Sequence, residues 1–184
     1  MNTTTATKTT WAIDAAHSEI SFKAKHLVIT TVTGRFADYE GTVTTDNNDF
    51  RGAEIEFTAK TGSVSTGNEQ RDGHLKSPEF FDAEKYPEIK FVGTDLVKKG
   101  DDKYILTGNL TVKDVTKPIS LDVVFEGINK DPFYGKTKAG FEVNGVIARK
   151  DFGLTWDVLT EAGGALVSND IKIHCTIQLD RIDA

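Results

Sequence analysis

The chain has 184 residues, 38% of them hydrophobic and 27% charged, with a net charge of −6. That length suits one domain with a real core, and without a Lys/Arg run it argues for no nucleic-acid partner and no docking on anionic membranes beyond a local patch. The lone Cys175 excludes an internal disulfide and leaves the redox compartment open.

Residues 1–10 are Thr-rich, with Lys8 as their only charged side chain. They lack the basic start and apolar stretch of a secretory signal, so they read as a disordered tail ahead of a single domain over 11–184. Taken as it stands the chain is cytoplasmic; a processed periplasmic protein would look the same. No apolar run approaches the roughly 20 residues of a membrane-spanning helix, so no integral membrane segment is expected.

From residue 11 onward, apolar side chains recur at every second position, the period of a strand with one buried face. Ile20, Phe22 and Ala24 alternate with Ser21, Lys23 and Lys25, and Ile55, Phe57 and Ala59 with Glu54, Glu56, Thr58 and Lys60. Ile119, Leu121, Val123 and Phe125 form a third stripe. The clearest is Ile171, Ile173, Cys175, Ile177 and Leu179 against Lys172, His174, Thr176 and Gln178. Eight strands are expected, near 11–25, 34–44, 52–63, 88–97, 103–112, 117–127, 134–148 and 169–180. Turn residues separate them at Asp46 to Asp49, Lys99 to Asp102, Asp114 to Pro118 and Asn129 to Pro132. Short joints make hairpins, and an even strand number lets the last strand meet the first. The expected fold is an all-β, eight-stranded antiparallel up-and-down barrel.

Three segments interrupt the alternation. Residues 26–33 suggest a short helical corner. Residues 68–86 form the helical insert, in which Ser77-Pro78-Glu79 reads as an N-cap, a first-turn proline and an acid near the helix start. Residues 157–165, with Gly163-Gly164, read as a mobile loop.

A barrel of eight strands is the size at which the interior is either filled or holds one small ligand. Eleven Phe and two Trp provide large walls. Small residues (Ala24, Ala59, Gly108, Ala139, Gly145) either leave a tunnel or let the aromatics interdigitate, and the pattern leaves both open. Candidate ligand-contacting walls are Phe22, Phe36, Phe57, Phe91, Phe125, Phe141, Phe152 and Trp156, with Leu75, Phe80 and Phe81 at a mouth. Arg71 either pins the insert to a carboxylate or meets a polar ligand head.

Other signals are weaker. Asp72 and His74 are two apart and share no helix face, and no oxyanion motif accompanies them, so no catalytic residue is expected. His17, His26, His74 and His174 show no metal-ligand spacing, so no metal or other cofactor is expected. Cys175 reads as a small buried hydrophobe. Asp151-Phe152-Gly153 reads as a strand-end turn; the rest of a kinase is missing.

Several strings resemble one family. Asp14-x-x-His17-Ser18-x-Ile20-x-Phe22 opens the chain, followed by His26-Leu27. Asn68-x-x-Arg71-Asp72-x-His74-Leu75-x-Ser77-x-x-Phe80-Phe81-Asp82 leads into Tyr86-Pro87-x-Ile89-x-Phe91. Gly108-x-Leu110-Thr111-x-x-x-Val115-Thr116-Lys117-Pro118, then Arg149-Lys150-Asp151-Phe152-Gly153-Leu154-x-Trp156 and Leu166-Val167-Ser168, complete the series. Over residues 11–180 the chain resembles the YceI-like family of polyisoprenoid-binding, lipocalin-like proteins. The resemblance implies an eight-stranded barrel around an apolar tunnel that holds a long isoprenoid or other fatty amphiphile without catalysis, and it leaves a homodimer open. Binding, sequestration or transport of such a lipid is therefore the expected function. An enzyme with a lid-borne Arg71/His74 site, or a filled barrel acting as a stress or interaction module, are the alternatives.

Overall fold

A computed structural model describes residues 5–182; of the disordered tail expected over 1–10, residues 1–4 lie outside these residues, whereas Lys8, Thr9 and Thr10 pair with Asp46, Thr45 and Thr44 because the first strand begins before the apolar alternation does. The strands are β1 (Lys8–Ile13), β2 (Glu19–His26), β3 (Thr30–Phe36), β4 (Tyr39–Asp46), β5 (Asp49–Lys60), β6 (Val64–Ser65), β7 (Glu88–Lys98), β8 (Lys103–Val112), β9 (Val115–Lys130), β10 (Thr137–Ala148) and β11 (Asp170–Ile182). Helix α1 spans Glu69–Lys76. Strands β1, β4, β5, β7, β8, β9, β10 and β11 pair in that order, and β11 returns to β1, closing an antiparallel barrel.

The eight expected strands are its staves, but the first three are broken. Strand β11 pairs with β1 through Ile13↔Leu179 and with β2 through Thr176↔Glu19, so β1 and β2 follow one another along one neighbour. Strands β4 and β3 lie against them in turn, and β6 prolongs the third stave against β3. All four apolar stripes keep their period, which is why each faces the interior.

The first break is built by Asp14. One carboxylate oxygen accepts the Ala16 amide at 3.0 Å; the other meets His17 Nδ1 at 2.8 Å, Gln178 Nε2 at 3.1 Å and Lys138 Nζ at 3.2 Å. Ser18 stitches the break to β11, accepting the Gln178 amide at 2.9 Å. Burial works to raise the Asp14 pKa, but the bonds from His17, Lys138 and the Ala16 amide outweigh it and hold the group at about 2. Its contribution to stability is therefore whole above the ordinary value of 3.8 and is lost as pH falls through 3.8 toward 2. Asp14→Asn should remove about 1–2 kcal/mol at neutral pH and flatten the acid limb of stability between about pH 5 and pH 2, as urea midpoints across that range would show.

The helical corner expected at 26–33 is instead a hairpin turn. His26 pairs with Thr30, the Ile29 amide bonds the His26 carbonyl at 3.2 Å, and Leu27 and Val28 adopt φ of 52° and 64°. Two successive positive-φ residues are the signature of a type I′ turn, which favours Asn-Gly. No turn residue marks the site, so alternation simply looked lost. The β-branched Val28 is strained there and 72% exposed. Leu27→Asn with Val28→Gly should therefore stabilise the protein by about 1 kcal/mol, read as a higher denaturation midpoint.

The insert also differs from expectation. Asn68, not Ser77, is the N-cap, its side-chain oxygen accepting the Arg71 amide at 2.9 Å. Ser77 closes the other end: its hydroxyl donates to the His74 carbonyl at 2.6 Å. Pro78 disfavours helical geometry in the residue before it, so it ends α1 rather than starting a helix. Residues 78–86 continue as turns, with Phe80 and Phe81 buried.

Candidate functional site

The interior divides into a packed end and a hollow. At the end bearing the β4–β5 turn, the Phe50 ring lies 5.2 Å from Trp11, 4.9 Å from Phe141 and 5.6 Å from Phe125. Trp11 is fully buried and its indole N–H donates to Thr45 Oγ1 at 3.2 Å. These rings fill the barrel across its width and make a floor.

Above the floor is a cavity of about 310 Å³. Ile20, Phe22 and Ala24 of β2, Ile55, Phe57 and Ala59 of β5, and Ile119, Leu121 and Val123 of β9 line it. The inward stripe of β11 from Ile171 to Leu179 completes the wall, and Leu75, Phe80, Phe81, Phe152, Leu154 and Val167 cover the end under the insert.

Glycines explain why so many aromatics leave room. A Cβ on Gly34 would lie 2.3 Å from the tip of the Phe22 ring, and one on Gly108 only 2.4 Å from that of Phe91. Both rings therefore lie against the wall over bare backbone instead of crossing the lumen. Leu121 uses Gly145 in the same way. The two readings of the small residues thus hold together: side chains interdigitate with the wall, and the centre stays empty.

Polar groups along the cavity are engaged by the protein or turned to the outside. The Ser21 hydroxyl donates to the His174 carbonyl at 2.7 Å, and Thr42 and Glu56 are exposed on the outer face. Arg149, only 2% exposed, spends its guanidinium on the carbonyls of Leu154 and Trp156 (2.7 Å each), Ser168 (2.9 Å) and Val167 (3.1 Å), with Asp157 3.4 Å away. Burial pulls its pKa down from the ordinary value while Asp157 opposes that. Burial in turn works to raise Asp157, but the amides of Val158 and Val167, then Lys150 and Arg149, hold it below its usual value. This pair anchors both ends of the loop over 153–168. Cys175 is buried in the wall, and desolvation pushes its thiol up to about 12, as expected of a small hydrophobe.

Of the twelve candidate contact residues, Phe22, Phe36, Phe57, Leu75, Phe80, Phe81, Phe91, Phe141 and Phe152 line the cavity. Three do not. Phe125 is in the floor, stacked behind Phe50 and Phe141. Trp156 packs outside, 4.7 Å from His74 and 5.4 Å from Phe80, because the loop turns away after Gly153 adopts φ 79°. Arg71 meets neither a carboxylate nor the cavity: it donates to the Thr66 hydroxyl at 2.7 Å and carbonyl at 3.0 Å, while Asp72 accepts from the Thr66 amide at 2.8 Å and from its hydroxyl. His74 faces Glu79 and is held between Phe80 and Trp156. Among the described residues, no three His, Cys, Asp or Glu side chains are grouped to hold a metal ion, and no helix is long and apolar enough to cross a membrane.

Residues 11–179 match the YceI-like domain. The chain belongs to the YceI-like family. A UPF0312 protein of Serratia proteamaculans is 42% identical over 162 residues, covering 88% of this chain and 80% of that protein. A Campylobacter jejuni YCEI protein of known structure aligns with a TM-score of 0.73 and 34% identity over 86% of this chain and 90% of that one. A polyisoprenoid-binding domain from Saccharophagus degradans, at 16% identity and a TM-score of 0.71 over 92% and 97% of the two chains, shares the fold. The YceI-like strings of this sequence have structural tasks: Asp14 to Ser18 breaks the first stave, Asn68 to Ser77 caps the insert helix, and Arg149 to Trp156 anchors the loop beside it.

Proposed function

We propose that this YceI-like barrel carries or sequesters an amphiphile by enclosing its hydrocarbon part: a polyisoprenoid, a quinone-like lipid, or a fatty acid or its amide. The observation that carries the reading is the carbon-walled cavity, whose buried polar neighbours, Ser21 and Arg149, already have protein partners. Each methylene moved into it from water contributes about 0.8 kcal/mol, so about ten would leave several kcal/mol after ordering costs. The Saccharophagus degradans neighbour, described as polyisoprenoid-binding, supports the choice at the level of fold. A binding role rather than catalysis is also supported by Arg71 and His74, both engaged in holding the insert.

Protein purified without detergent should release a discrete lipid on solvent extraction, identified by mass spectrometry, and take up offered prenols. Native mass spectra showing only apo protein, with no uptake at any prenol concentration, would overturn the reading.

A further inference from the structure

The end of the barrel that bears the insert also carries an exposed apolar ridge. Leu27, Val28 and Ile29 form the tip of the β2–β3 hairpin, and Val158 and Leu159 stand on the 153–168 loop. All five are exposed, Ile29 by 78% and Leu159 by 75%. The two tips are tied together. The Leu27 amide donates to the Leu166 carbonyl at 2.9 Å, His26 bridges to Val167 and Leu159 to Ala165, and a Cβ on Gly164 would lie 3.9 Å from Val28 Cγ2. Ala24 and Val167, at the roots of the two tips, line the cavity, so the ridge stands on its rim.

Resting on the hydrocarbon-binding reading, we propose that this ridge docks on a lipid bilayer and lets a hydrocarbon chain pass between membrane and barrel without crossing water. Strain is the first support. Leu27 and Val28 hold positive φ where Asn-Gly is favoured, so apolar side chains are kept at the tip at a cost in stability. Charge is the second. Lys23 and Lys172 are cross-strand partners on the outer wall behind the ridge, and Lys25 is the next outward residue of β2. Like charges in register oppose pairing, and none of the three lysines is in an ion pair among the described residues. Of the carboxylates on the 153–168 loop and the start of β11, Asp157 is held by Arg149 and Lys150, while Glu161 and Asp170 are exposed and keep the attraction local. At about 3.4 Å per residue, Lys25 lies about 7 Å and Lys23 about 14 Å behind Leu27. A tip buried about 5–10 Å in a bilayer thus brings the ammonium groups to the level of the lipid phosphates. A second copy seated on the ridge would instead bring two lysine clusters to one interface.

The test floats the full chain with vesicles of phosphatidylcholine, alone or with about a third phosphatidylglycerol. Wild type should bind both, and the anionic vesicles about five- to tenfold more tightly. Ile29→Ser with Leu159→Ser should weaken binding by about a hundredfold, since each side chain buried in the interface contributes about tenfold. Leu27→Asn with Val28→Gly should weaken it as much while raising the denaturation midpoint, a combination that a purely structural tip would not give. Phe133→Ser with Tyr134→Ser, in the exposed turn at the floor end, should float like wild type. Both tip variants should keep wild-type affinity for dissolved primary alcohols, because neither alters a residue of the cavity wall.

Wild type that floats with neither vesicle, or a loss confined to the Phe133/Tyr134 variant, would overturn docking at the rim and leave hydrocarbon binding standing. So would a wild-type dimer in analytical ultracentrifugation that the Ile29/Leu159 variant turns into monomer. Equal binding to the two vesicle compositions would overturn the part given to the lysines. Flotation with no uptake of any alcohol would overturn the hydrocarbon-binding reading and leave the docking in place.

Discussion

Arg149→Met should lower the unfolding free energy by about 3–5 kcal/mol, enough to drop the melting temperature by about 8–15 °C. The buried guanidinium satisfies four carbonyls between Leu154 and Ser168 and faces Asp157. Methionine fills much of the volume but donates nothing, so those carbonyls lose their donor without gaining access to water, and Asp157 keeps only Lys150 and its backbone amides. Arg149→Lys should restore little of the loss, because one ammonium cannot reach carbonyls spread around a planar fork. Chemical denaturation of both variants checks this. A cost below about 1 kcal/mol for Arg149→Met would mean that water or another donor replaces the side chain.

Ala24→Phe should weaken hydrocarbon binding by about a hundredfold while changing stability by less than about 1–2 kcal/mol. Ala24 is an inward-facing, half-buried position of β2 on the cavity wall. A phenyl group there occupies about 100 Å³, the space of about four methylenes, and does so in a void rather than in packed side chains. Titration of the variant with straight-chain primary alcohols, beside its denaturation curve, separates the two effects. Unchanged affinity would place the ligand elsewhere.

Much of the barrel was legible because a period of two is a local property. The stripe from Ile171 to Leu179 had to face one way, and closure of the sheet made that way the inside. The misses have equally local causes. Phe50 is out of phase with Ile55 and Phe57, so alternation does not mark it as inward. The structure brings it inward by placing Gly52 at φ 68°, so that Arg51 and Gly52 are both exposed between Phe50 and Ala53. An isolated glycine in a strand is the signal of such a bulge and could have flagged it. The turn at Leu27-Val28 had no comparable marker, since neither residue prefers the backbone it adopts.

By itself, then, this sequence determined the number of staves, the inward faces and the family, because alternation, turn residues and linked motifs all act over short stretches of chain. Only the tertiary structure decided that the centre is hollow, where the hollow ends, and what Arg149 and Arg71 hold. Whether a ring crosses the lumen or lies on the wall depends on the residue facing it from another strand, as Gly34 does for Phe22. A guanidinium's partners are likewise set by loops that meet only after the barrel closes.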